Sequence, residues 1–186
     1  MDRRRFLTLA AATGFAPAAL RATPQGAHAF DFASIDGGRL ALSDYAGRPV
    51  LVVNTASRCA FTGQYEALQA LWDAQRDRGL VVIGAPSRDF GRQEYEDEAA
   101  IKDFCEVNFA IDFPMTELVR VKGPSAHPFY AWARDAGRAQ DLPSPRWNFH
   151  KYLIAPDGRL AGAWGSATPP DHPEILAAVE ALLRAG

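Results

Sequence analysis

An α/β fold, with a central mixed sheet and flanking helices, is predicted by three observations. Val50-Leu51-Val52-Val53 and Leu80-Val81-Val82-Ile83-Gly84 are short apolar runs rich in β-formers. A helical pattern joins them, which makes a parallel βαβ unit. Near the C-terminus, Lys151-Tyr152-Leu153-Ile154 and Arg159-Leu160-Ala161-Gly162-Ala163-Trp164 bracket the turn sequence Ala155-Pro156-Asp157-Gly158, which reads as a hairpin.

The elements follow in order. Phe30 to Ala33 and Arg39 to Leu42 flank Asp36-Gly37-Gly38 as an opening hairpin. Ser43 to Pro49 turns into the Val50 strand. Thr62 is the expected N-cap of a helix over Gly63 to Arg78, with Tyr65, Leu68, Leu71 and Trp72 on one face and Gly79 as its stop. After the Leu80 strand, Pro86 to Glu94 is a loop. Glu96, Asp97 and Glu98 then load the start of a helix whose apolar stripe is Ile101, Phe104, Cys105 and Phe109. Asp112 to Met115 is extended. His127 to Ala136 forms a helix with Pro128 in its first turn, and Asp135 to Arg146 is a polar loop. Glu174 to Arg184 is a final amphipathic helix. This order, βαβ, helix, ββ, helix, is that of a thioredoxin-like sandwich.

The chain has 186 residues, 48% of them apolar and 23% charged, enough for one soluble domain with a full core. Residues 1–29 are a different kind of sequence. Arg3-Arg4-Arg5 precedes Phe6-Leu7 and an Ala-rich apolar run to Leu20, followed by small residues. That is the build of an export signal. Its paired arginines resemble the twin-arginine signal, which implies a periplasmic location. The apolar run is shorter than the roughly 20 residues of a membrane span, so no stable membrane insertion is expected once the signal is removed. Cleavage after Ala22 or after Ala29 fits. The domain is then residues 30–186. Removing 1–29 takes four arginines and one aspartate and leaves 16 basic against 21 acidic residues, a net charge of −5. No basic stripe remains to bind nucleic acid. His127, His150 and His172 have no ligand-like spacing with either cysteine, so neither a metal nor a cofactor is expected.

The chemistry centres on Cys59. It follows the Val50 strand in Asn54-Thr55-Ala56-Ser57-Arg58-Cys59-Ala60-Phe61-Thr62, at a strand-to-helix turn near a helix N-terminus. Unpaired N–H groups and the positive dipole end favour an anion there, and a thiolate is an anion. Gln93, in the loop after the second parallel strand, and Trp147-Asn148, just before the third core strand, offer neutral N–H donors from the end of the sheet where α/β folds place their sites. Such donors stabilise a thiolate and polarise an O–O bond. Taken singly, each also has a plain reading: a solvated glutamine, or a Trp-Asn pair that packs and turns the chain. Cys105, 46 residues beyond Cys59, reads by itself as a small core residue. In an exported chain with two cysteines it also reads as half of a structural disulfide, worth about 4 kcal/mol in the chain-entropy model.

The Cys59 segment resembles the signature of the glutathione peroxidase family. So do Phe90-Gly91-Arg92-Gln93-Glu94, Phe113-Pro114 and Trp147-Asn148-Phe149, in the same order and spacing from Phe30 to Leu183. The resemblance implies a thioredoxin-like fold and reduction of hydrogen peroxide and organic hydroperoxides in antioxidant defence. It makes Cys59 the peroxidatic residue and Gln93, Trp147 and Asn148 the rest of a catalytic tetrad. Phe104-Cys105-Glu106-Val107-Asn108-Phe109 matches the context of the resolving cysteine in thioredoxin-dependent members, which implies a catalytic Cys59–Cys105 disulfide and a thioredoxin-like dithiol as reductant, with glutathione as the other donor. The short loop between Trp132 and Trp147 is that of monomeric members. Ala60 and Thr55 depart from the family's usual Gly and Val. Ser87-Arg88-Asp89 departs from its usual Cys-Asn-Gln, which puts extra charge near the site. Two other functions remain on the page: an exported thiol–disulfide oxidoreductase, which lacks its second cysteine because Thr62 fills the Cys-x-x-Cys position, and a disulfide-stapled binding domain without catalysis.

Overall fold

The computed structural model describes residues 26–185, and within it the chain folds as an α/β sandwich. The expected export signal lies outside the described residues as far as residue 25. Residues 26–29 form a single 3-10 turn that belongs to the fold: Ala27 is fully buried and its N–H donates to Gly158 O at 2.8 Å.

Strands β1 (Asp31–Ala33) and β2 (Arg39–Ala41) form the opening hairpin. The main sheet has the order β4-β3-β5-β6, with β3 at Val50–Thr55, β4 at Val81–Pro86, β5 at Lys151–Ile154 and β6 at Leu160–Trp164. β3 runs parallel to β4 and antiparallel to β5, so the sheet is mixed as expected. All residues of β3 and β4 are buried, which is why they read as continuous apolar runs rather than as alternation.

The two-residue period of β3 still divides the core. Val50 and Val52 face one apolar layer with Val81, Ile83, Phe129 and Tyr152. Leu51 and Val53 face the other with Val82, Leu68, Ile101 and Ile175. Helix α3 (Pro128–Arg138) covers the first layer. Helices α1 (Gln64–Gln75), α2 (Glu98–Phe109) and α4 (Pro173–Ala185) cover the second. At about 1.5–3 kcal/mol per buried Val, Leu or Ile side chain, these layers carry most of the folding energy. No helix among the described residues is long and apolar enough to cross a membrane.

Several helix ends follow the local chemistry the sequence predicts, with one exception among those expected caps. Asp97 caps α2 by accepting from Ala100 N–H at 2.9 Å, and His127 caps α3 ahead of Pro128. A 3-10 turn, Arg76–Arg78, ends on Gly79 at φ 111°, a left-handed stop that a side chain would resist. The exception is Thr62. It does not cap α1, whose N-cap is Gly63 with no side-chain bond. Its hydroxyl is engaged with the turn before it.

Candidate active site

The C-terminal ends of β3 and β4 carry the loops that meet at Cys59. The turn from Ala56 to Gly63 is held by a side chain of its own. Thr62 Oγ1 accepts the Cys59 N–H at 3.0 Å and lies 2.8 Å from Ala56 O and 2.7 Å from Cys59 O. With one proton, the hydroxyl donates to one of these carbonyls at a time. This is the bond that a capping role would have used, and it fixes the backbone of the cysteine instead. The Cys59 side chain is turned inward and the residue is 8% exposed. Its Sγ accepts the Phe61 N–H at 3.4 Å.

The loop after β4 holds the same turn from the other side. Arg58 N–H donates to Gln93 O at 2.8 Å. Ser57 N–H and Tyr95 N–H donate to Glu94 Oε1 at 3.1 and 2.9 Å. Glu94 is 1% exposed, and burial pushes its carboxyl up; the Ser57 and Tyr95 bonds and the Arg58 charge oppose that rise. The Arg58 guanidinium lies 4.0 Å from the centre of the Tyr95 ring.

The Trp147-Asn148-Phe149 segment closes the third side, and Asn54 of β3 sets its position. Asn54 Nδ2 donates to Trp147 O at 3.2 Å, and Asn54 O accepts the Phe149 N–H at 2.6 Å. Phe149 sits at φ 63°, a left-handed backbone that these bonds sustain. Asn148 is fully buried and its Nδ2 donates to Gln93 Oε1 at 3.1 Å and to Phe90 O at 3.4 Å. That pairing orients the Gln93 amide: its oxygen faces Asn148, which leaves its NH2 as a donor without a partner among the described residues. Trp147 is 39% exposed. Its ring and the Gln93 side chain both lie over Gly91. A Cβ there would sit 3.4 Å from Gln93 Cγ and 3.6 Å from Trp147 Cη2, at φ 67°. Gly91 therefore lets the two side chains share that space.

Gln93, Trp147 and Asn148 are thus brought together, and the turn of Cys59 is tied to Gln93 through the adjacent residue. No hydrogen bond links Cys59 Sγ to any of the three among the described residues. Cys105 lies in the middle of α2, 1% exposed, in the same apolar cluster as Cys59, Tyr65 and Phe149. Both cysteines are free thiols. Burial pushes the Cys105 thiol up to about 12; the neighbouring Tyr65 hydroxyl pulls the other way without offsetting it.

The extra charge expected from Arg88 and Asp89 is neutralised inside the protein. Arg88 pairs with Glu96, and Asp89 pairs with Arg120 at 2.7 Å while accepting the Val121 N–H at 2.6 Å. Ser87 is buried and caps the Asp89 N–H at 3.3 Å. These partners lie as many as 32 positions away, so the sequence alone showed the charges and not their pairing.

The family model described as glutathione peroxidase matches residues 27–134. The hydroperoxy fatty acid reductase gpx1 of Synechocystis sp. is 41% identical over 165 residues, which cover 84% of this chain and 95% of that protein. The chain belongs to the glutathione peroxidase family. It is similar too to a glutathione peroxidase of Lactococcus lactis, 35% identical over 78% of this chain and 94% of that one. The glutathione peroxidase-like peroxiredoxin gpx1 of Schizosaccharomyces pombe is 36% identical over 79% of this chain and 94% of its own. Among solved structures, Trgpx in apo form superposes with a TM-score of 0.68 at 30% identity, covering 86% of this chain and 97% of that one. The family and fold expected from the motifs are the ones found, and the protein is a peroxidase of that family. A Mycobacterium tuberculosis DsbF structure matches at a TM-score of 0.55 and 13% identity, which speaks to the thioredoxin-like fold alone.

Proposed function

We propose that this protein is a thiol peroxidase in which Cys59 attacks the peroxide, Gln93 and Trp147 donate to the reacting atoms, Asn148 positions Gln93, and Cys105 resolves the oxidised cysteine. The observation that carries this reading is the Asn148–Gln93 amide pair, which turns the free Gln93 NH2 away from Asn148 and is tied by Gln93 O to the residue before Cys59.

The reaction balances in three steps. The Cys59 thiolate attacks one peroxide oxygen, the O–O bond breaks, and the other oxygen leaves as water or an alcohol after taking a proton. Cys59 is left as a sulfenic acid. The Cys105 thiol gives up its proton and its sulfur attacks Cys59 Sγ, releasing water and forming the disulfide. A thioredoxin-like dithiol then reduces that disulfide by exchange and is itself oxidised; glutathione is the second candidate donor. Because burial holds the Cys105 proton so firmly, the second step requires α2 to loosen around Cys105.

Thr62 stands where a Cys-x-x-Cys oxidoreductase has its second sulfur, and its hydroxyl is committed to the Cys59 turn. That disfavours the disulfide-exchange reading. We also take the protein to act as a monomer exported to the periplasm by the twin-arginine route. The burial of Ala27 favours cleavage after Ala22, since cleavage after Ala29 would take a core residue away. Two relatives from Synechocystis sp. are named hydroperoxy fatty acid reductases, which favours a fatty acid hydroperoxide as the organic substrate.

The test is turnover of hydrogen peroxide and an organic hydroperoxide by the purified protein, with a thioredoxin system and with glutathione. Turnover of both peroxides, faster with the dithiol, is expected. Failure with both donors would contradict a peroxidase function.

A further inference from the structure

A groove of about 600 Å³ opens where the end of α3 meets the segment before β5 and the turn after β6. Arg134, Arg138 and Arg146 line it, with Leu142 and Pro143 as apolar wall and His150 as the innermost side chain. Arg134 is paired with its neighbour Asp135 at 3.1 Å. Arg138 and Arg146 are exposed and pair with no carboxylate among the described residues, although Asp141 shares the lining. With Arg134 paired, the two guanidinium groups of Arg138 and Arg146 against the one carboxylate of Asp141 leave the groove cationic. The peroxide chemistry itself requires none of them.

A second observation comes from His150. Its residue is 1% exposed, yet its Nε2 has no hydrogen-bond partner among the described residues. An orphaned polar atom at such depth costs about 1–3 kcal/mol unless something bonds to it. The ring packs edge-on against Tyr152, and burial keeps it neutral. A neutral imidazole can present one N–H to an oxygen. Arg146 is followed at once by Trp147, so the groove adjoins the candidate site. Its far wall is tied to the start of α1 by the Gln64 side chain, which donates to Ser166 O at 2.7 Å.

We infer that this groove binds the carboxylate of an amphipathic organic hydroperoxide, with Arg138 and Arg146 on the carboxylate, His150 Nε2 donating from beneath, and Leu142 and Pro143 beside the adjoining methylenes. The inference rests on the peroxidase reading and adds to it a preference among substrates. Planar guanidinium groups suit a carboxylate, and a chain leaving an apolar wall toward an exposed indole suits an acyl stem. The head is held away from Cys59 while the hydroperoxide reaches it.

The experiment compares kcat/KM for linoleic acid hydroperoxide and for its methyl ester, with hydrogen peroxide assayed in parallel. The wild-type protein should prefer the free acid by about tenfold or more. The Arg138→Ala, Arg146→Ala double variant should bring that ratio close to one, and raised salt should shrink it in the wild type. Both arginines are exposed, so alanine there leaves the core intact. A wild type that reduces hydrogen peroxide but treats acid and ester alike overturns the subsite and leaves the peroxidase reading standing. A wild type that reduces no peroxide overturns both. A double variant that keeps the preference while its KM for glutathione rises gives the groove to the reductant and overturns the inference.

Discussion

Cys59 and Cys105 share one apolar cluster but are held in opposite ways. Cys59 lies on an irregular turn tethered by Gln93 O and Glu94 Oε1 from outside and by its own Thr62 hydroxyl, each holding a backbone N–H within two residues of the cysteine. Its own sulfur takes one backbone N–H. Cys105 lies in regular helix, its backbone satisfied within α2 and its thiol kept protonated by burial. The same residue type is therefore held by backbone tethers on the turn and by burial on the helix. A thiol that must react first needs fixed donors and an opening to solvent. In the proposed cycle Cys105 reacts second, and its burial would keep it from peroxide until Cys59 is oxidised.

The sharpest way to break that contrast is to remove each sulfur. Cys59→Ser should lower peroxide reduction by about a thousandfold or more, since the nucleophile itself is gone. Cys105→Ser should leave the first oxidation of Cys59 at its wild-type rate while steady-state turnover with a dithiol falls by about a hundredfold. Stopped-flow oxidation and coupled turnover separate the two. Equal effects of both variants on the first step would remove the distinction.

Gln93→Ala deletes the free amide donor and should cost about a hundredfold in the rate of Cys59 oxidation, with the fold unchanged. Thr62→Val keeps the shape but takes away the acceptor of the Cys59 N–H. It should cost about 1 kcal/mol in denaturant unfolding and a smaller loss of rate than Gln93→Ala. If Thr62→Val proves the more harmful to rate, the turn matters more than the donors.

A pH measurement reaches a third buried group. Lys151 is fully buried, its Nζ bonded to Gln64 Oε1 and to Thr168 O, and burial pulls its pKa from 10.5 down to about 7. Between those values the unfolded lysine holds a proton that the folded one lacks, so unfolding takes up a proton and stability rises with pH. The stability of wild type relative to Lys151→Met should therefore increase from pH 7 to pH 9. A flat difference would mean that Lys151 stays charged in the fold.

How much of this was legible in the sequence divides along the same line as the cysteines. Continuous apolar runs revealed β3 and β4, and the stripe Ile101, Cys105 revealed the buried face of α2, because periodicity reports burial directly. That Gln93, Trp147 and Asn148 lie together was legible through motifs in register. The supports were not. Glu94 holds Ser57 from 37 positions away and Asn54 holds Trp147 from 93. Such partners share no local pattern, and a buried glutamate reads as one more charge in a loop. Thr62 misled for the opposite reason. A threonine before a helix signals a cap, and here the cysteine turn competed for the same hydroxyl and won.

The measurement that tests the account most directly is addition of one equivalent of hydrogen peroxide to the fully reduced protein, followed by intact mass and peptide mapping over seconds. The account predicts loss of both thiols and an intramolecular Cys59–Cys105 disulfide, with no lasting gain of oxygen. Accumulation of a sulfenic or sulfinic Cys59 with Cys105 still free would contradict the two-cysteine cycle.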